Sequence, residues 1–147
     1  MKSDPLEECR SEKAECRSLD QGARLGNDLK VRTQKFALRI LGLYRSLPKN
    51  EESRILGRQL LRSGTSVGAN YRSACRGRSR NEFIAKIGIV LEEADETVFW
   101  LELIAEAGLV PGEKLTDLLK EANELTAIFV TSLRTAKGIP SGQGPDS

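Results

Sequence analysis

Between residues 28 and 137, apolar side chains recur at three- and four-residue steps. Breakers interrupt that recurrence at Pro48, at Gly77, and at Gly108 to Pro111. This punctuation confines the chain to four helices. Asp28 offers a cap to the first, where Leu29, Thr33, Phe36, Ile40, Leu43 and Leu47 form one stripe before Pro48 stops it. A second begins near Asn50, a good N-cap, and runs to about Gly77. Ser79 and Glu82 have capping-box spacing and open a third, with Phe83, Ile87, Leu91, Ala94, Val98, Leu101 and Ala105 as its stripe. Pro111 opens a fourth, which carries Leu115, Leu118, Ala122, Leu125, Phe129 and Leu133 and ends by Gly138. Helices of this length on short loops pack antiparallel to their neighbours. The expected fold is all-α, an antiparallel up-down-up-down four-helix bundle over residues 28–137.

The flanks are different. Residues 1–27 have the makings of a short polar helix but nothing apolar to anchor one, so a disordered or loosely attached arm is expected there. Residues 138–147, rich in Gly, Pro and Ser, read as a disordered tail. The N-terminus has no apolar signal-peptide core, and no run approaches the ~18 apolar residues of a membrane span. Cys9, Cys16 and Cys75 have no metal-ligand spacing, and the chain has no histidine. The expectation is a cytoplasmic protein with no membrane contact, no metal and no cofactor.

The second helix is the unusual one. On a helical wheel, Arg54, Arg58, Arg62, Arg72 and Arg76 share a narrow arc. Leu56, Leu60, Ser63, Val67, Asn70 and Ala74 make a core stripe. Gly57, Leu61, Gly64, Gly68, Tyr71 and Cys75 make a third arc beside it. Each interior glycine costs ~1 kcal/mol of helix propensity against Ala, so the glycine arc implies a close neighbour. That neighbour is helix one or three of the same chain, a second subunit, or a ligand. Ser66 and Asn70 fall at or beside the core, with Glu92 or Glu96 as conceivable partners.

Charge is segregated by helix although the net charge is only +2. Seven arginines and no acid lie between Ser53 and Asn81, and seven acids and no base between Ile87 and Glu113. Cross-helix pairing explains part of this. Opposite-sign faces also suit contact between subunits, as does an apolar outer face on helix three formed by Ile89, Phe99, Trp100, Leu103 and Ile104. The sequence therefore predicts a homo-oligomer.

The block from Leu56 to Ile104, with its Ser-x-Gly-Ala-Asn-Tyr-Arg run and the following Glu-Phe-Ile, resembles the bacterial four-helix-bundle proteins encoded in intervening sequences of 23S ribosomal RNA genes. The resemblance extends over about residues 28 to 137. That family is similar to the accessory variability protein of diversity-generating retroelements, a basic homopentameric barrel that binds a reverse transcriptase and nucleic acid. The resemblance implies a bundle and a pentamer, with Ser66, Asn70, Tyr71, Phe83 and Glu92 in structural rather than catalytic roles. Ser73 and the small net charge depart from the pattern.

Two functions follow. One is a non-enzymatic oligomeric scaffold or accessory protein that binds RNA or DNA through Arg54, Arg58, Arg62, Arg72, Arg76, Arg78 and Arg80. The other is a protein–protein adaptor whose arginines meet acidic helix-three surfaces, without nucleic acid. No catalytic residues are expected: no phosphate loop, nucleophile elbow or Glu-x-x-His pair is present.

Overall fold

The computed structural model describes the backbone of residues 5–139 and the side chains of residues 24–139. Four helices follow in order: α1 (Pro5–Ser46), α2 (Glu51–Cys75), α3 (Arg80–Glu106) and α4 (Gly112–Lys137). α2 packs extensively on both α1 and α3, and α3 on α4, whereas α1 meets α4 only sparingly. The order around the bundle is thus the order in the chain, as short connections require.

Caps fix the boundaries. Asn50 Oδ1 accepts the amide of Ser53 at 2.9 Å. Ser79 Oγ accepts the amide of Glu82 at 3.1 Å, and the Glu82 carboxylate accepts the Arg78 amide at 2.9 Å, one residue before the usual box partner. Gly108 and Gly138 end α3 and α4 with φ of 70° and 74°, a conformation in which a Cβ is strained.

α1 starts earlier than expected. Helical backbone continues from Pro5 through Gly22 and Gly26, and Asp28 is an exposed interior residue rather than a cap. Pro5 suits a first helical turn, and the Glu, Lys, Ala and Arg that follow are good helix formers. Anchoring starts at Leu29, which is buried, while Leu25, Asn27 and Asp28 are exposed. The remainder of the expected tail, residues 140–147, lies outside the described residues, as do the side chains of residues 1–23.

The stripe foreseen for α1 is buried along its whole length, and that of α4 except for half-buried Leu133. α3 is rotated from the expected face. It buries Ile87, Val90, Ala94, Thr97, Leu101 and Ile104, while Phe83, Leu91, Val98 and Ala105 are only half-buried. An apolar face this wide leaves the orientation to its two neighbours.

The glycine arc of α2 faces α1. A Cβ on Gly57 would stand 2.7 Å from Leu47 Cδ1, and one on Gly64 2.9 Å from both Ile40 Cγ atoms. One on Gly68 would stand 3.3 Å from Thr33 Oγ1. Ile40 and Thr33 are both fully buried by this approach. The thin α1–α4 seam is bridged by Arg32, whose Nε and Nη2 donate to Glu121 at 2.6 and 3.0 Å; Nη2 also donates to Glu124 at 2.8 Å. Hydrogen bonding to Arg32 holds the Glu121 carboxyl below its ordinary value despite partial burial.

Two outcomes are expected in denaturant unfolding. Gly64→Ala should lower stability by about 1–3 kcal/mol through overpacking, although Ala is the better helix former. Gly42→Ala, whose Cβ would meet nothing within 4 Å, should raise it by about 0.5–1 kcal/mol. Because folding depresses the Glu121 pKa, its contribution is present above the unfolded glutamate value of about 4.3 and is lost as pH falls through the folded value. Glu121→Gln should therefore cost about 1 kcal/mol or less at neutral pH for this partly exposed pair, and unfold with a flatter acid dependence than the parent.

Candidate nucleic-acid interface

With glycines turned to α1 and Leu60, Val67 and Ala74 to the core, the arginine arc of α2 must face outward. All seven arginines are exposed, but the fold divides them. Arg62 reaches across to α3, donating to Glu93 at 3.5 Å and more closely to Glu96. Arg72 donates to Gln34 Oε1 of α1 at 2.9 Å. Arg54 pairs within its own first turn with Glu51 at 3.0 Å. Arg80 Nε donates to the Ala136 carbonyl at 2.5 Å, placing a cation at the negative end of α4.

Arg58, Arg76 and Arg78 have no side-chain partner among the described residues. Arg58 and Arg76 lie five turns apart on the same line of α2, about 27 Å at 1.5 Å per residue. Arg78 follows in the turn beyond. These three are the uncompensated part of the stripe. Between Arg58 and Arg76 the surface is narrow: a groove of about 240 Å³ beside α1 is lined by Thr65, Gly68, Ala69, Gln34 and Lys30, with Arg72 at its edge.

The segregated charges therefore serve partly as intrachain pairing. Glu96 is the hub. It accepts from Arg62 and from Trp100 Nε1 at 3.1 Å, and these bonds, that from Trp100 foremost, hold its carboxyl below the ordinary value. Glu93 beside it keeps Oε2 buried and without a hydrogen-bond partner.

The expected buried polar cluster does not form. Ser66 Oγ donates to the Arg62 carbonyl at 2.7 Å, and Asn70 Nδ2 to the Ser66 carbonyl at 2.9 Å. Both bonds return to the preceding turn, so neither residue needs α3. Glu92 is exposed. The buried polar residues are instead Thr33, Ser53, Ser63 and Thr97. Thr33, Ser63 and Thr97 satisfy their hydroxyls on carbonyls of the preceding turn. Thr33 and Ser63 already stood on the apolar stripes of the sequence; nothing distinguished Thr97 until α3 was oriented.

The proposed outer face of α3 is also narrower than expected. Ile104 is fully buried in the core, because the helix turns that side toward its neighbours. Trp100 packs partly against the core, and Leu103 is half-buried. Phe99 and Ile89 remain outside, 54% and 40% exposed, with the Phe99 ring edge-on to Trp100 at 4.9 Å.

No group of three or more His, Cys, Asp or Glu suited to a metal ion occurs among the described residues, and no described helix is long and apolar enough to cross a membrane. Tyr71, packed 5.7 Å from Phe129, has its hydroxyl pKa raised by burial and by Cys75. It belongs to the core.

The four-helix fold agrees with the comparisons. A crystal structure of a protein of unknown function from the S23 ribosomal protein family of Bacteroides thetaiotaomicron is 35% identical, with a TM-score of 0.67. The match covers 71% of this chain and 97% of that one. No curated protein matches. The sequence model of the 23S rRNA-intervening sequence proteins matches residues 27–131, from the last turn before Leu29 to the last turns of α4, and this four-helix chain belongs to that family.

Proposed function

We propose that this protein is a non-enzymatic helical scaffold that self-associates and holds RNA or DNA by its backbone along the outer edge of α2. The observation that carries the reading is the division of the arginine stripe. Arg62, Arg72 and Arg80 are tied to other helices, whereas Arg58, Arg76 and Arg78 stand exposed without partners among the described residues. Uncompensated cations spaced along a straight helix suit phosphates, whose neutralisation releases counterions whatever the sequence. No aromatic side chain stands among them to stack bases.

Self-association is assigned to the exposed Phe99 and Ile89 of α3, rather than to Trp100, which is engaged with Glu96. A pentamer is the form that the family resemblance suggests. The adaptor reading draws on the Arg62–Glu93–Glu96 cluster, since the same acids and cations would pair between subunits.

The arginine variants separate these readings. Arg58→Gln/Arg76→Gln/Arg78→Gln should weaken RNA or DNA binding for all sequences alike and reduce the salt slope by up to about 3. Its stability should be unchanged, whereas Arg62→Gln should lower stability and leave most of the binding. Parent protein that binds neither RNA nor DNA at about 50 mM salt would exclude the nucleic-acid reading. In sedimentation at micromolar concentration, Phe99→Glu should shift a multi-subunit species toward the 16.2 kDa monomer with helicity retained. A parent that sediments as a monomer rules out the scaffold.

A further inference from the structure

The corner between α1 and α2 has chemistry that neither the stripe nor the bundle explains. A cleft of about 310 Å³ opens there, at the small end of the range for ligand sites. Arg45 enters it from the end of α1, Lys49 from the turn and Arg54 from the first turn of α2. Glu51 and Glu52, the acids of that turn, do not line it. Beneath lies the N-terminus of a 25-residue helix, whose first amides have no intrahelical acceptor. Asn50 takes up one of them, the Ser53 amide.

Ser53 is the second, independent sign. It lines the cleft, is 1% exposed, and its Oγ has no hydrogen-bond partner. A buried hydroxyl in that state is costly, and Ser53, in the first turn, has no preceding helical turn of the kind whose carbonyls take up Ser63 and Ser66. Rotation of its side chain toward an oxygen acceptor arriving in the cleft would satisfy it.

We propose that this corner is a phosphate-binding site, in which Arg45, Lys49 and Arg54 surround the anion and the Ser53 hydroxyl donates to it at the positive end of α2. Three cations call for an anion of more than one charge, and guanidinium forks match the oxygens of a tetrahedral phosphate. Arg54 is held only by the exposed pair with Glu51 at 3.0 Å, which contributes about 0–1 kcal/mol and yields to a stronger acceptor. The phosphate belongs either to a nucleic-acid backbone or to a free phosphate ester. The site does not rest on the nucleic-acid reading, since only Arg54 is shared with the stripe.

The test is a titration of the full-length protein with inorganic phosphate at constant ionic strength, followed by amide NMR. Saturable shifts are expected at residues 51–54. Arg45→Gln/Lys49→Gln, both at exposed positions, should weaken binding by about tenfold or more, as should Ser53→Ala, with thermal stability unchanged or higher. Glu51→Gln should tighten it by freeing Arg54. Absence of saturable shifts, or an affinity unaltered by the Arg45/Lys49 pair or by Ser53→Ala, overturns the site. A short oligouridylate that moves the same amides and is displaced by phosphate identifies the backbone as the source. One that leaves them unmoved while phosphate shifts them identifies a free ester. Loss of oligonucleotide binding in the Arg58/Arg76/Arg78 variant bears on the stripe alone, so the two readings fail separately.

Discussion

The close contact of α1 with the glycine arc of α2 governs the rest of the molecule. Leu47, Ile40 and Thr33 descend onto Gly57, Gly64 and Gly68, where a Cβ would overlap Leu47 and Ile40 at the first two and crowd Thr33 at the third. Three interior glycines cost about 3 kcal/mol of helix propensity. The fully buried Ile40 alone returns a comparable amount, about 1.5–3 kcal/mol. Packing of the two helices thus outweighs the local preference, and it does so only at this rotation of α2.

That rotation decides the surface. A helix has one circumference, and α2 gives one part to α1 and one to the core. The remaining part carries arginines because nothing of the bundle can cover it. α3 then takes the position beside it, and its acidic edge comes within reach of Arg62. Arg72 is drawn to α1 and Arg80 to the end of α4. What is left over, Arg58, Arg76 and Arg78, is a residue of geometry rather than of composition.

The contrast between α1 and α3 shows how far periodicity reaches. α1 meets water on a broad side, so its buried residues stand out against Arg, Lys and Gln at every turn. α3 contacts α2 and α4 along much of its length, and its apolar residues extend well around the helix. Ile104 sits on an arc that could equally face out, and Val90 and Thr97 on arcs that could equally be flanks. Glu92, Ser66 and Asn70 looked buried for the same reason. Short side chains that bond back to their own helix carry no signal of a partner, since the bond is made before the helix packs.

The sequence by itself determined the four helices, their stops at Pro48, Gly77, Gly108 and Gly138, the capping at Asn50 and Ser79, and the three arcs of α2. All of these arise from interactions within about one turn of the chain, which residue type and spacing specify, although the start of α1 at Pro5 was not among them. Tertiary structure alone decided which face of α3 turns inward, which arginines find partners, and that the Ser53 hydroxyl is left without one at the α1–α2 corner. Those outcomes depend on helix rotation and depth of approach, set by side chains tens of residues apart. The approach of Ile40 to Gly64, where a Cβ would overlap it, is one such contact, and no local pattern contains it.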